Sequence, residues 1–168
     1  FFCGNDTIQV YEVCDKNSGR IGGPFIHRKK QKNPVTSDYY RESDFIIGLT
    51  VFLSGFKFLL VSTDEYTQKY MEDNGSVFPE ASLDHIFAKI LAPAKNFASL
   101  QDFAVDLLQK LDKNGDKVLS FAEFTNGLKA MGIHITSHEE VSLIRRFDIN
   151  NDGKISMEEF YNCLATAF

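Results

Sequence analysis

Hydrophobic residues follow two periods along this chain, and the change of period divides it. From Thr7 to Val13 they alternate, with Ile8 and Val10 on one face and Tyr11 and Val13 on the other. With the turn-forming run from Asp15 to Gly19 behind it, this predicts a strand and its exit. Pro24 to His27 predicts a second short strand. A basic tip follows, Arg28 to Lys32, read as a solvated loop that ends at the breaker Asn33-Pro34. Phe45 to Val61 is the most hydrophobic stretch. A membrane span needs roughly 20 uninterrupted apolar residues, whereas Lys57 falls inside this one and Gly48 and Gly55 break it. Val51, Phe52, Phe56 and Phe58 favour extended backbone, and Ser54-Gly55 between them predicts a tight hairpin of buried strands over 46–53 and 56–61.

Beyond the hairpin the period lengthens to that of helices. The run from Ser62 to Glu65 has capping-box character and predicts a helix through about Glu72, ended by Asn74-Gly75. Asp64 and Glu65 suit the dipole of a first helical turn rather than acid–base catalysis. Another helix is expected from Pro79 to Leu91, stopped by Pro93. After the capping residue Ser99, apolar residues recur at Leu100, Phe103, Ala104, Leu107, Leu108 and Leu111. Phe121 to Met131 follows as a helix with Phe124 and Leu128 on its apolar side. A second capping box, Ser137 to Glu140, opens a helix lined by Val141, Ile144 and Phe147. The last helix carries Phe160, Tyr161 and Leu164.

Two loops between these helices hold the candidate chemistry. In the second, Asp148, Asn150, Asp152, Lys154, Ser156 and Glu159 occupy the first, third, fifth, seventh, ninth and twelfth places, with Gly153 at the sixth. A hard cation needs six to eight oxygens at short range, and a tight loop presents them at alternating positions. This is the pattern of a calcium-binding EF-hand. The first loop repeats it with Asp112, Asn114, Asp116, Val118, Ser120 and Glu123, Val118 offering its backbone carbonyl. Its departure is Lys117 at the sixth place, where a left-handed backbone costs a side-chain-bearing residue about 1–2 kcal/mol. The expected cofactor is Ca2+ in both loops, with the 112–123 loop the weaker site. Leu119 and Ile155, at the eighth places, are expected to pair the hands into one four-helix unit. His134 and His138 lack a zinc-ligand spacing and read as linker and surface histidines.

Composition narrows the function further. The chain has 168 residues and net charge −5, and residues 99–168 carry 7 Lys+Arg against 11 Asp+Glu, so the acid excess sits in the calcium half and argues against nucleic acid. Cys3, Cys14 and Cys163 are an odd set without metal spacing, read as reduced intracellular thiols. The sequons at Asn5 and Asn74 read as chance matches in a chain without a signal peptide. The chain opens without Met and inside a strand pattern, and so reads as a piece of a longer protein. No phosphate loop, nucleophile elbow or Cys–His pairing is present, which points away from an enzyme.

The run from Asn5 to Val13, then Asn17 to Arg20 and Pro24-Phe25, resembles the DM-ten domain of axonemal proteins. So do Tyr39-Tyr40, Asp44 to Gly48, Val51, Gly55 and Phe58, followed by Asp64 to Thr67 and Tyr70-Met71. The likeness spans about residues 1–91. It implies a small β-barrel of pleckstrin-homology type, here lacking its first strands, with a helix packed against it. A DM-ten domain before calcium hands resembles the EF-hand family C (myoclonin-type) and protofilament-ribbon proteins. The fold expected is therefore α+β: a partial DM-ten domain with closing helices over 1–91, a linker over 92–98, and an all-α EF-hand pair over 99–168. The resemblance implies a scaffold bound to tubulin and other microtubule inner proteins inside the doublet microtubules of cilia and flagella. The alternatives are a calmodulin-like sensor that binds a target helix, and a regulatory subunit. Against the sensor, Met71, Met131 and Met157 are the only methionines.

Overall fold

The alternating stretches near the N-terminus form strands in the computed structural model, which describes residues 1–14, 19, 21–93 and 98–166. β1 (Ile8–Glu12) pairs antiparallel with β2 (Gly23–Lys29), with the register shifting on both sides of Val10. The turn expected over 15–19 lies, apart from Gly19, outside the described residues, as does most of the Asn17 to Arg20 motif. β2 runs past the expected His27 and takes in Arg28 and Lys29, so the first part of the basic run is strand rather than loop. Arg28 is fixed there: its guanidinium lies 3.7 Å from the centre of the Phe2 ring and donates to Thr7 Oγ1 at 2.9 Å and Asn5 Oδ1 at 3.2 Å.

β3 (Thr50–Leu53) and β4 (Phe56–Leu59) make the expected hairpin, but β4 stops at Leu59 rather than residue 61 and is mostly exposed instead of buried. Ser54 and Gly55 both take positive φ, 52° and 87°, the two-residue turn that matches strand twist. The first strand of this hairpin starts at Thr50 rather than Ile46, because Gly48 at φ 90° turns the chain. Ile46 and Ile47 are buried ahead of that turn. Ile8, Ile26, Tyr40, Val51 and Leu53 form the core of this region, and the Tyr40 hydroxyl accepts the Phe52 N–H at 2.9 Å. Among the described residues each sheet stops at two strands and none closes into a barrel.

The chain divides into two compact units, Phe1–Ser62 and Thr63–Phe168. The second contains α1 (Glu65–Asp73), α2 (Leu83–Leu91), α3 (Leu100–Leu111), α4 (Phe121–Ala130), α5 (Ser137–Phe147) and α6 (Met157–Thr166). Thus α1 and α2, expected to close the first domain at residue 91, lie in the unit of the calcium loops. The reason is apolar burial. Ile86, Phe87 and Ile90 of α2 share one core with Phe103, Leu107, Leu111, Phe124, Leu128, Phe147 and Phe160. Of the expected linker, residues 94–97 lie outside the described residues.

Helix starts follow local hydrogen bonding more than the sequence pattern suggests. α1 is capped by Asp64, not Ser62; its carboxylate accepts the Thr67 N–H at 3.0 Å. α2 begins after Ser82 rather than at Pro79. α3 is capped by Ser99 as expected, through the Asp102 N–H at 3.1 Å. α5 uses Thr136 with Glu139, one residue ahead of the Ser137–Glu140 box. On α4, a Cβ built on Gly127 would meet Leu111 Cδ2 at 2.0 Å. That glycine lets α4 approach α3 closely despite the cost of glycine inside a helix.

β5 (Val118–Ser120) and β6 (Lys154–Ser156) pair antiparallel with Leu119 opposite Ile155, both fully buried. This is the short two-stranded contact expected of joined hands. Behind it Phe147 stacks on Phe160 at 5.2 Å and 17°, and Phe124 meets Phe147 edge-on at 5.2 Å.

Candidate metal centre

Each loop begins where its incoming helix stops: Asp112 caps the C-terminus of α3, and Asp148 that of α5. In the first loop Asp112 accepts the Gly115 N–H through Oδ1 at 2.7 Å and the Lys117 N–H through Oδ2 at 2.9 Å. Asn114 Oδ1 accepts the Asp116 N–H at 2.8 Å, and Asp116 Oδ1 the Val118 N–H at 2.9 Å. In the second loop Asp148 accepts the Asp152 N–H at 3.1 Å and the Gly153 N–H at 3.0 Å. Asn150 Oδ1 again takes the Asp152 N–H, at 2.8 Å, and Asp152 Oδ1 the Lys154 N–H, at 2.9 Å. The first, third and fifth places are therefore tied to the same stretch of loop backbone in both hands.

The backbone turns left-handed at the fourth and sixth places of both loops: Gly115 at φ 76° and Lys117 at 66°, Asn151 at 57° and Gly153 at 82°. Lys117 accordingly carries the strain its position implies, and Asn151 is a residue type that tolerates this region better. At the ninth and twelfth places the two loops again agree. Glu123 Oε2 accepts the Ser120 N–H at 3.0 Å and its hydroxyl at 2.7 Å. Glu159 Oε2 accepts the Ser156 N–H at 3.0 Å and hydroxyl at 2.8 Å, while Oε1 takes the Asn150 N–H at 3.4 Å. The Ser156 N–H is the main reason the Glu159 carboxyl is held below the usual carboxylate range.

Among the described residues no three His, Cys, Asp or Glu side chains converge as a ready-made cluster. The carboxylates are spent on backbone donors, and half of each expected ligand set is Asn, Ser or a backbone carbonyl. The donor chemistry is nonetheless all oxygen and strongly anionic, which fits a hard cation such as Ca2+ and not a thiolate- or imidazole-seeking metal. The loops differ in burial: Asp148 is 6% exposed, whereas Asp112 is half-buried.

Other sequence readings change on α5. His138, expected at the surface, is fully buried, and burial pushes its pKa below the ordinary value; His134 is exposed as expected. Leu143 and Phe147 fill the core, while Val141 and Ile144, expected there, are only half-buried. Glu139 and Ser142 are buried as well, because a second, polar face of α5 is covered by α1 and α2. Sequence reasoning missed that face. The available signal was the spacing of Leu83, Ile86, Phe87, Ile90 and Leu91, which marks α2 as strongly one-sided. None of the three cysteines is in a disulfide, and burial raises the Cys163 thiol to about 11, which leaves it unreactive.

Residues 1–67 match the DM10 (DM-ten) domain, and residues 102–164 match the EF-hand domain pair. The EF-hand domain-containing family member C2 of Mus musculus is 30% identical over 153 residues, which is 87% of this chain and 20% of that protein. The EF-hand domain-containing protein 1 of Mus musculus is 31% identical over 175 residues, 99% of this chain and 26% of that protein. The chain thus spans about a fifth to a quarter of the length of these relatives. Calmodulin-like protein 9 of Arabidopsis thaliana is 31% identical over 81 residues, 48% of this chain and 54% of that one. The family suspected from the sequence is the one these comparisons return: a DM10 domain followed by an EF-hand pair, a calcium-binding domain type, in a chain similar to EF-hand domain-containing family C proteins.

Proposed function

We propose that this chain belongs to a structural protein of cilia and flagella, held inside axonemal doublet microtubules against tubulin and neighbouring inner proteins, and that its EF-hand pair binds Ca2+. The ligands are the side chains of Asp148, Asn150, Asp152, Ser156 and Glu159 with the Lys154 carbonyl. In the second site they are Asp112, Asn114, Asp116, Ser120 and Glu123 with the Val118 carbonyl. Calcium supplies the positive charge that the clustered loop oxygens otherwise lack. The protein is cytoplasmic and cytoskeletal, and has no catalytic role.

One observation carries the structural reading over the sensor. Ile86, Phe87 and Ile90 of α2 are buried in the same apolar core as the EF-hand helices, with Phe87 edge-on to Phe147. A sensor works by exposing such a surface, usually one rich in methionine. The sensor reading draws its support from the likeness to a calmodulin-like protein. The two are separated by fractionating cilia that carry the tagged full-length protein. A scaffold stays with salt-washed axonemes. Recovery wholly in the soluble fraction would favour the sensor.

A further inference from the structure

Asparagine is a thermolabile residue, and when glycine follows it no Cβ hinders attack of the next backbone nitrogen on the side-chain amide. This chain has three such steps, Asn74-Gly75, Asn114-Gly115 and Asn126-Gly127. The fold treats them differently. Asn126 and Gly127 lie inside α4, where side chains lean toward the preceding turn and each N–H is spent on the helix ladder. Asn74 folds backward too: it caps the C-terminus of α1, and its Nδ2 donates to the Tyr70 carbonyl at 2.7 Å. Both amides are thereby drawn away from the glycine nitrogen.

Asn114 folds forward. Its Oδ1 accepts the Asp116 N–H at 2.8 Å, which lays the amide over the Gly115 peptide and polarises the carbonyl that would be attacked. The attacking nitrogen is prepared as well. The Gly115 N–H donates to Asp112 Oδ1 at 2.7 Å, a charge-assisted bond to a group able to accept its proton. Asn114 and Gly115 are both exposed, so water reaches them. In the second loop Asn150 folds forward in the same way, onto the Asp152 N–H at 2.8 Å, but there the attacking residue is Asn151, which carries a side chain.

We propose that Asn114-Gly115 is a self-deamidation site, primed by Asp112 and Asp116 in the calcium-free first loop and guarded by calcium. The Gly115 nitrogen bonds to Asn114 Cγ and the Cγ–Nδ2 bond breaks. The Gly115 proton passes by way of Asp112 to the departing nitrogen, which leaves as ammonia. The cyclic imide that results takes up one water and opens to aspartate or isoaspartate at position 114. Aspartate keeps an oxygen at the third place of the loop, whereas isoaspartate adds a methylene to the backbone and breaks the alternation on which the ligand set depends. Calcium guards the step because Asp112 and Asn114 give it their oxygens. The guarding rests on the calcium reading of this loop; the deamidation itself does not.

The test incubates the full chain at neutral pH in oxygen-18 water, which labels each new carboxyl group, and maps the three asparagines by proteolysis and mass spectrometry. Proton transfer by a placed group is worth about a hundredfold or more, so with a chelator position 114 should convert at least about tenfold faster than 74 or 126. With free calcium at about a hundred times the Kd of the first loop, conversion at 114 should slow by about a hundredfold and the other two should not change. Asp112→Asn keeps an acceptor but not a carboxylate, and in chelator it should slow conversion at 114 by about tenfold or more. In urea the three positions should converge. Equal rates at 114 and 74 in the folded chain, or an Asp112→Asn rate equal to wild type, would overturn the proposal. So would rates in urea that keep the folded order, since the fold is then not the cause. If 114 converts fastest but calcium does not slow it, calorimetry separates the causes. Absence of calcium from the first loop overturns the calcium reading and leaves the deamidation standing, whereas calcium bound there without protection overturns the guard.

Discussion

Place for place, the loops 112–123 and 148–159 hold their backbones alike, yet one turns its sixth residue on a lysine and the other on a glycine. The Lys117 N–H reaches Asp112 at 2.9 Å just as the Gly153 N–H reaches Asp148 at 3.0 Å. The geometry is therefore set by the alternating oxygens and the paired strands β5 and β6, and the sixth residue yields to it. Conforming costs energy only where there is a Cβ. The loops also differ at their first ligand: Asp148 is buried and Asp112 is not. A buried carboxylate has more to gain from a cation than a hydrated one. Both differences favour the second loop.

The largest test of that ranking removes the twelfth carboxylate. Glu159→Gln should weaken the tighter site by about a hundredfold or more, roughly 3 kcal/mol, in titration calorimetry. Glu123→Gln should remove the weaker site. If Glu123→Gln eliminates the tighter step, the order of the two loops is reversed. Next in size is Gly127→Ala, which drives a methyl into Leu111 and should destabilise the first hand by about 1–3 kcal/mol in thermal unfolding. An unchanged midpoint would mean that α3 and α4 can part at no cost.

Exchanging the sixth residues isolates the strain. Lys117→Gly should tighten the first site by roughly tenfold or somewhat less, about 1 kcal/mol, and Gly153→Ala should loosen the second by a similar factor. If neither moves, the loops differ for reasons outside the sixth place. The smallest effect comes from α5. His138 is buried there with a pKa below its ordinary 6.5, so the unfolded chain takes up a proton that the folded one resists. Stability is then full above pH 6.5 and falls as pH drops below it, by at most about 1.4 kcal/mol per pH unit, and His138→Asn should flatten that slope.

Both calcium loops were legible because their information is local. Oxygens at alternating places in twelve residues say the same thing wherever the loop sits. Ser54-Gly55 was legible for the same reason, since two adjacent residues make the turn. The caps of α1 and α5 were misplaced by one or two residues because neighbouring Ser, Thr and Asp offer equivalent oxygens, and only the backbone path selects among them. The barrel expected from the resemblance depends on strand pairings over long distances, and the described strands pair only two by two.

The sequence by itself determined the oxygen-bearing pattern of the two loops, the strained Lys117, the paired hands and the one-sided character of α2. Only the tertiary structure decided where α2 goes. An amphipathic helix announces that it has an apolar face, but not which surface will cover it. Five apolar residues over 83–91 suit the back of a sheet as well as the core of the EF-hand helices. The same holds for Glu139 and Ser142, which look like surface residues until Lys89 and Gln68, distant in sequence, are brought against their helix. Burial of a polar side chain is tolerated only with a partner, and the partner is chosen by the fold.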